Sequence, residues 1–441
     1  MLSPDIRQAI IDLVRQQVVP AIGCTEPICV ALAAAKATER LGCTPQKITA
    51  RLSANILKNA MGVGIPGTGM VGLPIAIALG ALVGKSQYGL EVLRDSNAEW
   101  VERGKEFIAE GRINISLATD AEMASRGVEA CEKLFVDITV EADGKSASAT
   151  IAHLHTNFVD STQKIEPTPE AIASDAAPAE KLEGIGSKLN LRLVYDFATT
   201  SPLEEIDFIN EAGRLNMEAS RLSLEGNYGH CLGKALHRPL GRGIMGDTIF
   251  SHVLMATSSA CDARMAGAMI PVMSNSGSGN QGICATNPVM AFAAENHNTR
   301  EERTRALMLS HLTAIYIKQH LGSLSALCGC IVASTGSSCG ITYLMGGDYD
   351  RVAAAVKNMI ANLTGMICDG AKPSCALKLT SGVSMAVLSA MLSMQGECVT
   401  SVEGIIDDDV DRSIRNLATI GAQAMNETDR CVLDIMTHKS C

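Results

Sequence analysis

Aromatic side chains are scarce in this 441-residue chain. They make up 3% of it, as one tryptophan, Trp100, with seven phenylalanines and six tyrosines. Hydrophobic residues still reach 47%, so the core has to be built from Ala, Val, Ile, Leu and Met, which suits closely packed helices. Basic runs are missing too. The net charge is −10, and no Lys/Arg cluster with interleaved aromatics offers a footprint for a phosphate backbone, so nucleic acid is not an expected partner. An apolar leader is also lacking. Met1 to Arg15 is mixed and charged, without a small-residue cleavage site, and a cytoplasmic protein is expected. Two stretches, Met61–Gly84 and Gly322–Gly347, are uncharged and long enough to span a bilayer. Glycines interrupt both, Pro66 and Pro74 interrupt the first, and neither has an aromatic belt or basic flank. Both read as buried core, and no membrane is expected as a partner.

What the chain has in quantity is cysteine, fifteen residues of it. A disulfide framework is not expected in a reducing compartment or in a chain this long. Many of these cysteines read as small buried hydrophobes, and a subset is left for metal binding or chemistry.

The length suggests two domains. Residues 1–165 read as an α+β domain. Pro4–Val18 and Pro27–Leu41 have helical spacing, Lys47–Leu57 alternates as a strand, and Glu91–Gly111 reads as a helix. Leu134–Val140 and Ser146–His153 are β-like runs around an Asp143-Gly144 hairpin turn. Residues 166–188, rich in Ala, Pro and Glu, read as a linker. Residues 189–441 read as a mainly α-helical domain, with helices expected over Pro202–Leu222, Asp247–Met269, Asn287–His320, Tyr349–Met366, Leu377–Met394 and Val410–Met425.

Three segments could carry chemistry. In Gly23-Cys24-Thr25-Glu26-Pro27 the proline suits a helix first turn, with Thr25 or Glu26 as cap. Cys24 then lies just outside the positive end of the helix, a place that lowers a thiol pKa and favours a base or nucleophile. A packed cysteine beside a capped helix is the plainer reading. Second, Ser274 to Gly282 lies between helical runs. Its small residues and exposed amides can hold a carboxylate or phosphate, and Asn280 and Gln281 add donors. It matches neither the dinucleotide fingerprint nor the P-loop. Third, Cys368 and Cys375 bracket a turn-rich segment, and Cys328 ends a buried helix. Three thiolates suit a soft iron–sulfur site, although Cys284, Cys330, Cys339 and Cys398 compete, and Cys328, Cys330 and Cys339 form an alternative set. The spacing is not that of a zinc finger.

Together these pieces resemble the L-cysteine desulfidase family, a relative of the bacterial iron–sulfur L-serine dehydratases. The matching residues are Gly23–Pro27, the Asn55–Gly69 segment with its Met-Gly-Val-Gly-Ile-Pro-Gly-Thr-Gly run, Ser276–Ile283, Leu327-Cys328, and Met366–Ala371 through Cys375. The resemblance implies that Cys328, Cys368 and Cys375 hold a [4Fe–4S] cluster and that Cys24 is the active-site base. It also implies an α,β-elimination yielding sulfide, ammonia and pyruvate. Candidate substrate contacts are Thr25, Glu26, Asn55, Lys58, Asn59, Ser276, Ser278, Asn280 and Gln281, with Lys58 either meeting the substrate carboxylate or packing at the strand end. His155 reads as a surface histidine. Cys441, the last residue, reads as a tail thiol, with a reach to the free iron as the alternative. L-serine in place of L-cysteine and a non-enzymatic zinc or redox-cysteine protein are the competing functions. The expected partner is a small amino acid, and a homo-oligomer stays open.

Overall fold

The computed structural model describes residues 2–130, 132–159, 184–322 and 325–438. The chain opens with helix α1, Pro4–Gln17, started by the Ser3 side chain accepting from Ile6 N–H and by Pro4 at its first position. Strand β1, Pro20–Ile22, and helix α2, Thr25–Leu41, follow. Helix α2 is Ala-rich and buried along most of its length, because it lies between a helix and a sheet. It stops at Gly42, whose φ of 80° is the left-handed conformation of a helix C-terminus.

Strand β2, Lys47–Leu52, is followed by helices α3, Ala54–Ala60, α4, Leu73–Leu82, and α5, Ala98–Ala109, strand β3, Ile113–Leu117, helix α6, Asp120–Ser125, and strands β4, Phe135–Ala142, and β5, Lys145–Ala152. The sheet runs β3-β2-β4-β5. β2 is parallel to β3 and antiparallel to β4, and β4 is antiparallel to β5. Helix α2 packs on β4 and β5, and α4 packs on α2. Alternation along β2 sends Ile48, Ala50 and Leu52 into this core. The Asp143-Gly144 turn has φ of 50° and 74°, the positive pair that a tight hairpin requires.

From residue 184 onward the chain is dominated by helices: α7, Leu191–Thr200, α8, Leu203–Ile206, α9, Asn210–Glu225, α10, Leu232–His237, α11, Pro239–Met245, and α12, Ile249–Met265. After strand β6, Pro271–Met273, come α13, Gly279–Glu295, α14, Arg300–Leu321, α15, Gly329–Leu344, α16, Tyr349–Leu363, α17, Cys375–Met394, α18, Val410–Thr419, and α19, Asn426–His438. Helix α15 packs against α13, α14, α16 and α17, and its Ser, Ala and Gly residues let those backbones approach without large side chains. Among the described residues there are two large apolar cores and two small satellite clusters. The smaller of the two cores gathers residues from Ile28 to Phe158 and takes Leu433 from α19. The larger runs from Leu189 to Leu417 and takes α1 through Ile10, Ile11, Leu13 and Val14.

Several expectations change. The strand expected over Lys47–Leu57 ends at Leu52, because Ser53 turns the chain. Its hydroxyl donates to Lys133 O and accepts from Phe135 N–H, tying the strand end to β4 while the backbone enters α3. The helix expected over Asn287–His320 is two helices, with a break at His297, φ 56°, and a Thr299/Glu302 capping box restarting α14. The earlier of the two begins at Gly279, capped by Ser278. Most of the stretch read as a linker, and Cys441, lie outside the described residues; 184–188 forms a turn and the short 3₁₀ helix Gly186–Lys188. Of the two uncharged stretches, one folds as loop plus α4 and the other ends in α15. Among the described residues, Cys375–Met394 is long and apolar enough to cross a membrane by length and composition, and it packs along α12, α15 and α16.

Candidate active site

Strands β1 and β6 pair antiparallel, Pro20 opposite Met273 and Ile22 opposite Pro271. Neither strand was legible in the sequence, yet this pair sets the segment before α2 beside the segment before α13. A cavity of about 680 Å³ opens there, and the residues put forward as base, substrate contacts and cluster ligands line it: Cys24, Thr25, Glu26, Asn55, Lys58, Asn59, Ser276, Ser278, Asn280, Gln281, Cys328, Cys368 and Cys375.

Cys24 occupies the N-cap position of α2 with no side-chain cap bond of its own. The turn into it needs Gly23, whose φ is +68° and where a Cβ would fall 2.6 Å from Pro66 Cγ. The thiol is not lowered as the helix end alone would have it. Burial pushes it up to about 11, with the nearby Arg264 guanidinium pulling the other way and Glu26 adding to the rise. Thr25 Oγ1 donates to Glu26 Oε2 at 3.4 Å and lies 3.4 Å from His155 Nε2. His155 is half-buried and lines the cavity.

The Ser274–Gln281 loop is held from beneath. Fully buried His311 accepts at Nδ1 from Asn275 Nδ2, 3.1 Å, so its Nε2–H is left to donate to Thr286 Oγ1, 2.9 Å. Burial drives this imidazole down to about 3, which keeps it neutral. Asn280 accepts from Arg264 Nη1 at 3.0 Å and from Cys261 Sγ at 3.7 Å. Gln281 Oε1 is buried and has no hydrogen-bond partner among the described residues.

On the far wall an antiparallel bridge joins Leu327 to Ile367. Cys328 N–H donates to Met366 O, 2.9 Å, and Cys368 N–H to Ala326 O, 2.7 Å. Cys375 is the first residue of α17. Backbone N–H groups face all three sulfurs, from Cys330 for Cys328, Gly370 for Cys368 and Lys372 for Cys375. Lysine charge adds to this: Lys378 acts on Cys328 and Cys368, Lys58 on Cys368, and Lys372 on Cys375. Contact with Cys330 and burial nonetheless push Cys328 up, and burial together with the neighbouring thiols pushes Cys368 and Cys375 up. Three thiolates here need a positive centre, and the amide donors are the kind that tune iron–sulfur ligands. Among the described residues no three His, Cys, Asp or Glu side chains are placed to share one metal ion. By its chemistry, three cysteine sulfurs with amide donors beside them, this donor set is of the type that iron–sulfur clusters take.

The competing cysteines separate. Cys330 lines the cavity and meets Cys284 and Cys328. Cys339 lies roughly 13 Å further along α15 at about 1.5 Å per residue, buried near Thr313 and pushed up to about 12 by burial. It cannot share a centre with Cys328. Cys398 borders a different groove, with Tyr349 and Lys357. Lys58, 3% exposed, is ion-paired to Asp429 of α19 and so is not a free carboxylate anchor. Asp369 pairs with Lys372, 2.6 Å, and Lys378. Burial opposes its ionisation, but these two lysines hold the carboxyl at about 2. Sequence reasoning missed Arg264. Its signal was a lone arginine near the end of α12, a helix built mostly of small and apolar residues.

The serine dehydratase alpha chain family description matches residues 87–434. This chain belongs to the serine dehydratase alpha-chain family. It is thereby a member of a lyase family. The matched span holds Cys328, Cys368, Cys375 and the Ser276–Gln281 loop and begins after Cys24 and α3. Similar proteins extend over those as well. A UPF0597 protein of Bacteroides thetaiotaomicron is 64% identical over 435 residues, 98% of each chain. A UPF0597 protein of Phocaeicola vulgatus is 62% identical over 442 residues, all of both chains. One from Porphyromonas gingivalis is 51% identical over 438 residues, 99% of this chain and 100% of its own.

Proposed function

We propose that the chain is an iron–sulfur-dependent carbon–sulfur lyase of the cytosol that eliminates sulfide from L-cysteine. The observation that carries this reading is the convergence of Cys24 with Cys328, Cys368 and Cys375 in one cavity that also holds a carboxylate, Glu26, and a guanidinium, Arg264. A zwitterionic amino acid needs both signs of charge. Bound to the three sulfurs, a [4Fe–4S] cluster supplies an iron with an open position, a Lewis acid for a departing sulfide or hydroxide.

The chain's own groups do the rest. Cys24 first gives its thiol proton to solvent, the Arg264 guanidinium favouring the thiolate that burial opposes; the thiolate then takes the Cα proton onto Sγ, and the electrons of that C–H bond form the Cα–Cβ double bond as the Cβ–S bond breaks. The aminoacrylate released tautomerises and hydrolyses to pyruvate and ammonia. Glu26 faces the ammonium, and the Ser276, Ser278 and Gln281 donors orient the substrate. Asn55 and Asn59 line the α3 side.

The family match favours a second reading, L-serine dehydration at the same site with hydroxide as leaving group. Anaerobic reconstitution with iron and sulfide, then assay of both amino acids, decides between them. Equimolar sulfide and pyruvate from L-cysteine, lost in Cys368→Ala, supports desulfidation. Faster pyruvate release from L-serine overturns it in favour of dehydration, and iron uptake of zero overturns the cluster.

A further inference from the structure

Arg264 sits near the end of α12, 7% exposed, and lines the cavity. Its Nη2 donates to Gly23 O at 3.0 Å and its Nη1 to Asn280 Oδ1 at 3.0 Å. Both acceptors are neutral. The third neighbour is the Cys24 sulfur, which burial pushes toward the neutral thiol. The Nε–H is buried without a hydrogen-bond partner among the described residues. The other lining cations are engaged: Lys58 with Asp429, and Lys133 and Lys318 in interactions of their own. A buried guanidinium held only by neutral groups carries an uncompensated charge, which a protein keeps where an anion comes to it.

A second observation concerns the space beside that nitrogen. A Cβ at Gly279 would fall on Arg264 Nε, with Cζ 2.8 Å away. Gly279 is the first residue of α13 and has no positive φ, so its backbone could carry any side chain. What a side chain there would fill is the approach to Nε. Of the five N–H groups of the guanidinium two are used. The Nε edge is the one that can take a carboxylate with two parallel hydrogen bonds.

We propose that Arg264 is the anchor for the α-carboxylate of the amino-acid substrate, with Gly279 keeping its Nε edge open. This rests on the reading of the cavity as an amino-acid site, but not on which β-substituent leaves. Its anchoring of Gly23 O and Asn280 would then seat the carboxylate between the start of α2 and the Ser276–Gln281 loop, setting Cα beside Cys24.

The test is binding rather than turnover. L-alanine and L-alaninamide, neither of which has a leaving group, are titrated calorimetrically into the full chain before and after anaerobic reconstitution. The wild type is expected to prefer L-alanine by at least tenfold in both states. Arg264→Gln should bring the ratio close to one, Arg264→Lys should retain part of it, and Gly279→Ala should weaken L-alanine while sparing the amide. An unchanged preference in Arg264→Gln overturns the proposal. Should that variant not fold, as read by circular dichroism, a Gly279→Ala chain with undiminished preference overturns it instead. Wild type without any preference, while sulfide release from L-cysteine is intact, overturns the anchor alone. A preference that depends on Arg264 in a chain that releases neither sulfide nor hydroxide sinks the lyase reading and leaves the anchor standing.

Discussion

Lys58 on α3 and Asp429 on the last helix form an ion pair beside the site, with the lysine nearly fully buried and the aspartate about one-quarter exposed. Gly370, the residue after Asp369 in the loop from Cys368 to Cys375, presses on the Lys58 carbonyl, where a Cβ could not be placed. Removing Asp429 would leave a buried ammonium alone. Asp429→Asn is expected to cost about 2–3 kcal/mol, below the full penalty for a buried pair because Asp429 meets solvent. Urea unfolding of the cluster-free chain measures it, and a loss under about 0.5 kcal/mol would show the pair to be ornamental.

Iron binding should distinguish the cysteines as the geometry does. Cys328→Ala, Cys368→Ala and Cys375→Ala are each expected to reduce bound iron after reconstitution to background. Cys339→Ser and Cys398→Ser should hold the wild-type amount. Iron retained in Cys368→Ala but lost in Cys339→Ser would reverse the ligand assignment.

Cys24→Ala is expected to keep its iron and its affinity for L-alanine while turnover falls about 10²–10⁴-fold, the range for a general base. A variant that loses iron together with activity would make Cys24 a ligand rather than a base.

His311 predicts a pH dependence of stability. Its folded pKa of about 3 lies below the ordinary histidine value of 6.5. The unfolded chain therefore takes up a proton that the folded chain refuses. The stability is fully present above pH ~6.5 and is lost as pH falls toward 3, with a ceiling of several kcal/mol. His311→Gln should flatten that part of the profile, read by chemical denaturation from pH 4 to 7. An identical slope in the variant would assign the effect to other groups.

Gly23→Ala should disturb the site through the backbone alone. A positive φ and the contact with Pro66 together cost on the order of 1–3 kcal/mol, and the carbonyl that Arg264 holds would shift. The expected result is a lower melting temperature together with weaker L-alanine binding. Normal binding in a destabilised chain would separate the turn from the site.

Local signals carried most of the fold. The Asp143-Gly144 hairpin and the α1 and α2 spacings were legible because turn chemistry and 3.6-residue periodicity act over a few residues. Ser53 and the 296–299 break were misread, since a serine ending a strand and an Asn-His-Asn-Thr stretch between two apolar helices show their roles only through partners elsewhere. The site residues came from motifs and resemblance, and the cavity gathers all of them. Arg264, His155 and the β1–β6 pair escaped because each matters through a neighbour more than a hundred residues away in the chain. The thiol of Cys24 went the wrong way for a related reason: helix position is a local feature, whereas burial is a property of the whole fold.

The β1–β6 pairing has a consequence for biosynthesis. Pro20 is made well before its partner Met273, which follows most of the first core, and Asp429 comes later still. Contacts so far apart in sequence close late. A nascent chain thus carries Cys24 long before it has a cavity to put it in. Cys328, Cys368 and Cys375 themselves all lie in the last third of the sequence. Until Asp429 has been made, those three thiols stand beside a Lys58 that still lacks its ion-pair partner.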